Sequence, residues 1–115
     1  MTQTESPTGA AAGTATATSG ILELALLDVR GKQTDAFVTA LSEALPLIRR
    51  QPGCRSAELR PCMENAQRFL LLVHWNSIAD HEQGFRRSDD YKRWRALLHG
   101  FYEPFPVVEH YGPSL

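Results

Sequence analysis

The chain has 115 residues and a formal net charge of -1, from 12 Lys plus Arg against 13 Asp plus Glu. That length supports one hydrophobic core and not two. The charge balance excludes a protein built to coat nucleic acid, which carries a basic excess, although Arg86, Arg87, Lys92, Arg93 and Arg95 make a local basic stretch. No apolar run approaches the roughly 20 residues needed to span a bilayer. The N-terminus lacks the basic and apolar regions of a secretory signal. Cys54 and Cys62 have no metal-type spacing, and the four histidines form no HxH or HExxH pattern. The expectation is a cytoplasmic protein with reduced thiols, no metal site, and neither nucleic acid nor membrane as partner.

Residues 1–19 contain no bulky apolar side chain after Met1. Such a stretch cannot bury enough surface to offset its ordering entropy, so a disordered tail is expected, with the domain at 20–115. "ILELALLDVR" is short, apolar and flanked by Gly20 and Gly31, which predicts a buried strand. "QTDAFVTALSEALPLIRRQPG" is helical, capped by Thr34 or Asp35, with Phe37, Leu41, Ala44, Leu45 and Ile48 as its apolar stripe. Pro46 should kink or break it.

"CRSAELRPCME" alternates in polarity and reads as a second strand, in which Pro61 marks an edge or a bulge. "RFLLLVHW" is apolar at both parities, the pattern of a strand covered on both faces. "NSIADHEQGF" opens a helix with Asn76 or Ser77 as N-cap and Asp80 as capping-box partner. Ser88 caps a second stretch, "DDYKRWRALLHGFYE". "PFPVVEHYG" reads as a final edge strand.

The order β-α-β-β-α-β is that of a ferredoxin-like α+β fold, a four-stranded antiparallel sheet with both helices on one face. Two helices leave the other face bare, yet the central strand is apolar on both. A second copy is the simplest cover, so a homodimer through the open sheet face is expected.

The "PGC" turn at Pro52–Cys54, the strand ending in Trp75-Asn76-Ser77 and the "SDDYKRW" segment carry a resemblance. Over about residues 21–112 the chain resembles the antibiotic biosynthesis monooxygenase (ABM) family of dimeric α/β barrels. Some members oxidise anthrones and quinols of aromatic polyketide pathways, with O2 as co-substrate and no metal or flavin. Others degrade haem with a strand-one Asn, a strand-three Trp and a helix-two His. Trp75 matches the strand-three Trp of both groups, whereas strand one here has no Asn. Arg95 corresponds to an Arg that some family oxygenases place near substrate.

Helical spacing sets Ile78, His81 and Phe85 on one face, and Tyr91, Arg95, Leu98 and Tyr102 on another. These groups converge on an aromatic-lined space between helix and sheet. The expected site has His81 as general base, Trp75 and Arg95 as donors to substrate or peroxide oxygen, and Phe85, Tyr91, Leu98 and Tyr102 as the wall. His74, at opposite strand parity to Trp75, is expected in the dimer interface, and His99 as a cation at a helix C-terminus. The implied function is a cofactor-independent monooxygenase acting on a small aromatic ligand. The alternative is a non-catalytic, haem-binding or haem-degrading protein of the same fold. A closed structural dimer would leave no cavity behind Trp75.

Overall fold

A strand that is apolar at both parities must sit where both its sides are covered, and that requirement orders this sheet. The computed structural model describes residues 20–115; the segment 1–19, expected as a tail, lies outside the described residues. The elements are β1 (Ile21–Asp28), α1 (Thr34–Arg49), β2 (Cys54–Pro61), β3 (Arg68–Trp75), a π turn at Asp80–Gly84, a 3-10 turn at Phe85–Arg87, α2 (Asp89–Leu98) and β4 (Val108–Tyr111). The sheet runs β2-β3-β1-β4 with every neighbouring pair antiparallel. The two most apolar strands take the centre. Pro61-bearing β2 and the short β4 take the edges, where a missing backbone donor breaks no ladder.

Alternation then assigns the faces. Phe69, Leu71, Val73 and Trp75 of β3 and Ala25 and Leu27 of β1 are buried in one core with the helices. Leu22, Leu24, Leu26, Leu70, Leu72 and His74 stand on the other face, half-buried or exposed, with Leu26 46% accessible. Among the described residues the sheet is open on this side, and no second layer covers these leucines.

The helices follow the expected pattern with informative departures. α1 buries Phe37, Leu41, Ala44, Leu47 and Ile48; Leu45 is only half-buried. The helix runs through Pro46 without a break. Pro46 and Ser42, four residues before it, are exposed, so the carbonyl that loses its partner can bond water. No side chain caps α1; Gln33 holds the N-cap position. α2 stops at Leu98, short of the predicted span, with His99 as its C-cap. Ser88 does cap it, accepting the Tyr91 N–H at 3.1 Å.

Between β3 and α2 the chain makes the turn that shapes the site. Ser77 Oγ accepts the Asp80 N–H at 3.1 Å and donates to Asp80 Oδ2 at 2.9 Å. The helical bonding then widens into the π turn, which keeps positions four apart on the same side. His81 and Phe85 therefore both face the sheet, each 2% exposed, while Ile78 at 44% does not join them. The far end of α1 is tied to α2 through Asp90, whose Oδ2 accepts from Arg50 Nε and Gln51 Nε2, both at 2.8 Å.

Gly53 locks the entry to β2 against this turn. Its φ is +85°, and a Cβ there would run into the Asp80 side chain. Gly53→Ala is expected to lower the unfolding free energy by about 1–3 kcal/mol. Gly100→Ala, into open space, should change it by less than about 0.5 kcal/mol. Urea denaturation of the two variants side by side checks this; equal losses would refute it.

Candidate functional site

β1 carries one acidic residue at an inward-facing position. Glu23 lies in the same row as Ala25 and Leu27 and is 4% exposed. A buried carboxylate needs hydrogen bonds, and here they come from the facing elements. Trp75 of β3 donates its indole N–H to Glu23 Oε1 at 2.8 Å. His81 Nε2 lies 3.4 Å from the same oxygen. The imidazole stacks on the Trp75 ring, with centroids 5.4 Å apart and planes at 21°. His81 Nδ1 lies 2.9 Å from Nε2 of His110, on β4. Four side chains from four segments thus form one polar chain, Trp75–Glu23–His81–His110.

Glu23 and His81 face a cavity of about 40 Å³, room for a few water-sized molecules. Its walls are otherwise largely aromatic and apolar, including Phe85, Tyr91, Trp94, Tyr102, Phe105 and Val108. Phe85 packs edge-on against Tyr91 and Trp94, at 5.2 and 5.7 Å. Arg86, itself exposed, reaches the rim.

Burial sets the electrostatics. It raises the Glu23 carboxyl above its ordinary range, against the pull of the Trp75 hydrogen bond and the Arg86 charge. It pulls His81 down to about 3, with Arg86 and His110 acting in the same direction. His81 is therefore neutral at physiological pH. Burial also drives the Tyr102 hydroxyl up, with help from Tyr91. Cys54 is raised by burial and by the Glu23 charge.

Of the expected residues, His81, Phe85, Tyr91 and Tyr102 line the cavity. Trp75 and Leu98 are fully buried but do not. Trp75 cannot serve as a substrate donor in this arrangement, because its only N–H is spent on Glu23. Arg95 is exposed and outside the wall; α2 buries Trp94 and Leu98, which turns position 95 outward, and Arg86 takes the cationic place at the rim. His99 is not a free cation either. Burial, then Arg95 and Arg86, lower it, and its ring packs 4.9 Å from Phe105.

Sequence reasoning missed Glu23, Arg86 and His110. Glu23 did leave a signal, a charge at the inward parity of an apolar strand. The partnership of His110 with His81, 29 positions apart, left none. Among the described residues no group of three or more His, Cys, Asp or Glu is placed to hold a metal ion. Nor is any helix there long and apolar enough to cross a membrane.

Residues 20–97 match the model of the antibiotic biosynthesis monooxygenase family. The uncharacterized protein YczJ of Bacillus subtilis (strain 168) is 42% identical over 91 residues, 79% of this chain and 96% of that protein. A Bordetella bronchiseptica protein of known structure, whose proposed role is antibiotic biosynthesis monooxygenase, superposes with a TM-score of 0.80 at 31% identity, over 84% of this chain and 99% of that one. A conserved Methanosarcina mazei Go1 protein has the same fold at 18% identity, with a TM-score of 0.76 over 86% of this chain and 97% of its own.

The buried histidine gives a pH signature. Between about 6.5 and about 3 the unfolded chain binds a proton at His81 that the folded chain refuses. Stability present above pH 6.5 is therefore lost as pH falls, by at most about 1.4 kcal/mol per pH unit for this group. His99, also lowered, adds the same sign. Glu23, raised, acts oppositely, since folding is weakened as pH rises from 4.5 through its folded value. Urea denaturation from pH 7.5 to 5 is expected to show a shallower acid loss for His81→Phe than for wild type, and a steeper one for Glu23→Gln. Parallel slopes in all three would assign the acid sensitivity to other groups.

Proposed function

The chain belongs to the antibiotic biosynthesis monooxygenase family, and from that premise we propose that it is a cofactor-independent monooxygenase that oxidises a small, electron-rich aromatic such as a quinol or anthrone with O2. The observation that carries the reading is a buried Glu23–His81 pair at the wall of an otherwise aromatic cavity. A phenol or anthrone that loses a proton becomes electron-rich enough to reduce O2 itself. The protein then has three tasks: to exclude water, to hold the ring, and to take the proton. Phe85, Tyr91 and Tyr102 hold the ring, the Glu23–His81 pair takes the proton, and the Arg86 charge at the rim stabilises the anion. The thiols of Cys54 and Cys62 are free, which fits a reducing, cytoplasmic setting.

A haem-degrading reading fits the residues poorly. Nδ1 of His81 is bonded to His110 and Nε2 faces Glu23, the cavity is far smaller than a macrocycle, and β1 has no Asn.

The leucines of the outer sheet face, Leu22, Leu24, Leu26, Leu70 and Leu72, are the natural seat of a second copy, which would close the dimeric barrel of the family with His74 in the interface. Leu72 stands opposite Leu24 across the β1–β3 ladder. Sedimentation is expected to find a dimer for wild type and a monomer for Leu72→Asp; a monomeric wild type would sink this part of the proposal.

Turnover is tested with hydroquinone and a dihydroxyanthrone, following oxygen uptake and quinone absorbance. The expected result is uptake that falls at least about 100-fold in Glu23→Gln or His81→Ala, the scale of lost acid–base catalysis. Uptake unchanged in both variants would remove the pair from the reaction. No uptake by wild type with any quinol or anthrone would overturn the oxygenase reading.

A further inference from the structure

His81 faces the cavity, but the geometry around it is not that of a base waiting for substrate. One ring nitrogen lies 3.4 Å from Glu23 Oε1, an ion-pair distance without hydrogen-bond alignment, and the other is hydrogen-bonded to His110 Nε2 at 2.9 Å. Glu23 faces the cavity too. Its Oε1 serves Trp75 and His81, which leaves Oε2 as the oxygen free of those contacts. His110 is absent from the cavity wall. It stands half-buried on the edge strand β4, where one side of its ring can meet water. We propose that Glu23 is the catalytic residue that accepts the substrate proton, and that His81 and His110 form the relay that returns this proton to solvent. The inference rests on the oxygenase reading for its substrate, but its geometry does not.

The proton count closes. The substrate O–H bond breaks and a Glu23 O–H forms, leaving the substrate anion. The proton taken up at Oε2 reaches His81 Nε2 by a turn of the Glu23 carboxyl group, as His81 Nδ1–H passes to His110 Nε2 and His110 Nδ1–H passes to water; the two rings then return to their starting tautomers by ring rotation before the next turnover. Transfer at both nitrogens together means that His81 never carries a charge. That matters because burial, Arg86 and His110 all disfavour its protonated form; an imidazole that cannot hold a proton can still hand one on. Arg86 from the 3-10 turn acts on both Glu23 and His81, and Tyr91, His99 and Tyr102 are the other titratable groups at the cavity wall. His81 and His110 are in direct contact, with none of these groups between them.

Two measurements test the relay on the intact chain. The first needs no substrate. With 15N-labelled imidazoles, His81 is expected to stay neutral at pH 7, and its ring N–H to exchange with water at least about tenfold more slowly in His110→Phe. His110→Gln keeps a hydrogen-bonding group at the same place but cannot pass a proton through a ring. It is expected to behave like His110→Phe, and it carries the test if the larger change prevents folding. The second uses hydroquinone under O2. His110→Phe and His110→Gln should lose kcat about tenfold with KM within twofold, and free imidazole should restore the rate. Glu23→Gln should lose it without rescue.

Unchanged exchange at His81 in both His110 variants overturns the relay, and imidazole rescue of Glu23→Gln overturns the role of Glu23. Slowed exchange in a protein that oxidises no quinol upholds the relay and sinks the oxygenase reading instead.

Discussion

The Trp75 indole N–H bonded to the buried Glu23 carboxylate is the contact around which the domain is arranged. A carboxylate on the inner face of a sheet is a heavy cost unless its oxygens are satisfied. Satisfying them fixes much else. Trp75 must end β3 in register with the start of β1, and it does, Ile21 opposite Trp75 and Glu23 opposite Val73. The indole plane then offers the surface on which His81 stacks, so the π turn must deliver a ring at that height. His81 in turn reaches β4 through His110. One polar requirement on β1 thereby couples three strands and a turn.

The same arrangement separates packing from chemistry within one layer. Phe37, Ala44 and Val73 lie in the sealed core beneath the helices, whereas Ala25, Leu27 and Leu71 of the same core also line the small cavity with Glu23 and His81. The cavity exists because the chain after Leu98 leaves helix and crosses as an irregular segment, with Phe105 and Pro106 as part of the wall. A continuous helix over the predicted stretch would have filled this space with side chains at helical spacing. The rigid elements hold the polar chain, and the irregular one leaves room beside it.

Burial also decides which group can do which work. Glu23 and His81 are near neighbours with opposite responses to the same dry surroundings: the acid is held toward its protonated form and the imidazole toward its free-base form. Both shifts favour the neutral species, as desolvation requires. Arg86 at the rim opposes protonation of His81 and pulls Glu23 back toward its ionised form.

Much of this was legible in the sequence alone. Length and flanking glycines placed β1, alternation placed β2 with an edge or bulge at Pro61, and apolar residues at both parities of "RFLLLVHW" marked β3 as covered on both faces. Capping chemistry located Ser77 and Ser88, and parity separated His74 from Trp75. These are local rules, in which a residue's neighbours in sequence determine its environment. What failed was everything that depends on a partner far along the chain or on a departure from ideal period. The π turn excluded Ile78 from the face it should have shared with His81. The early end of α2 and its burial of Trp94 turned Arg95 to water. His99 does cap the C-terminus of α2, but burial works against the cationic form expected there. The sequence by itself determined the elements, their order and the aromatic character of the site, because those follow from spacing and polarity. Only the tertiary structure decided that Trp75 spends its N–H on Glu23 and that His81 meets His110, because pairings across 52 and 29 positions exist only once the sheet has brought its strands together.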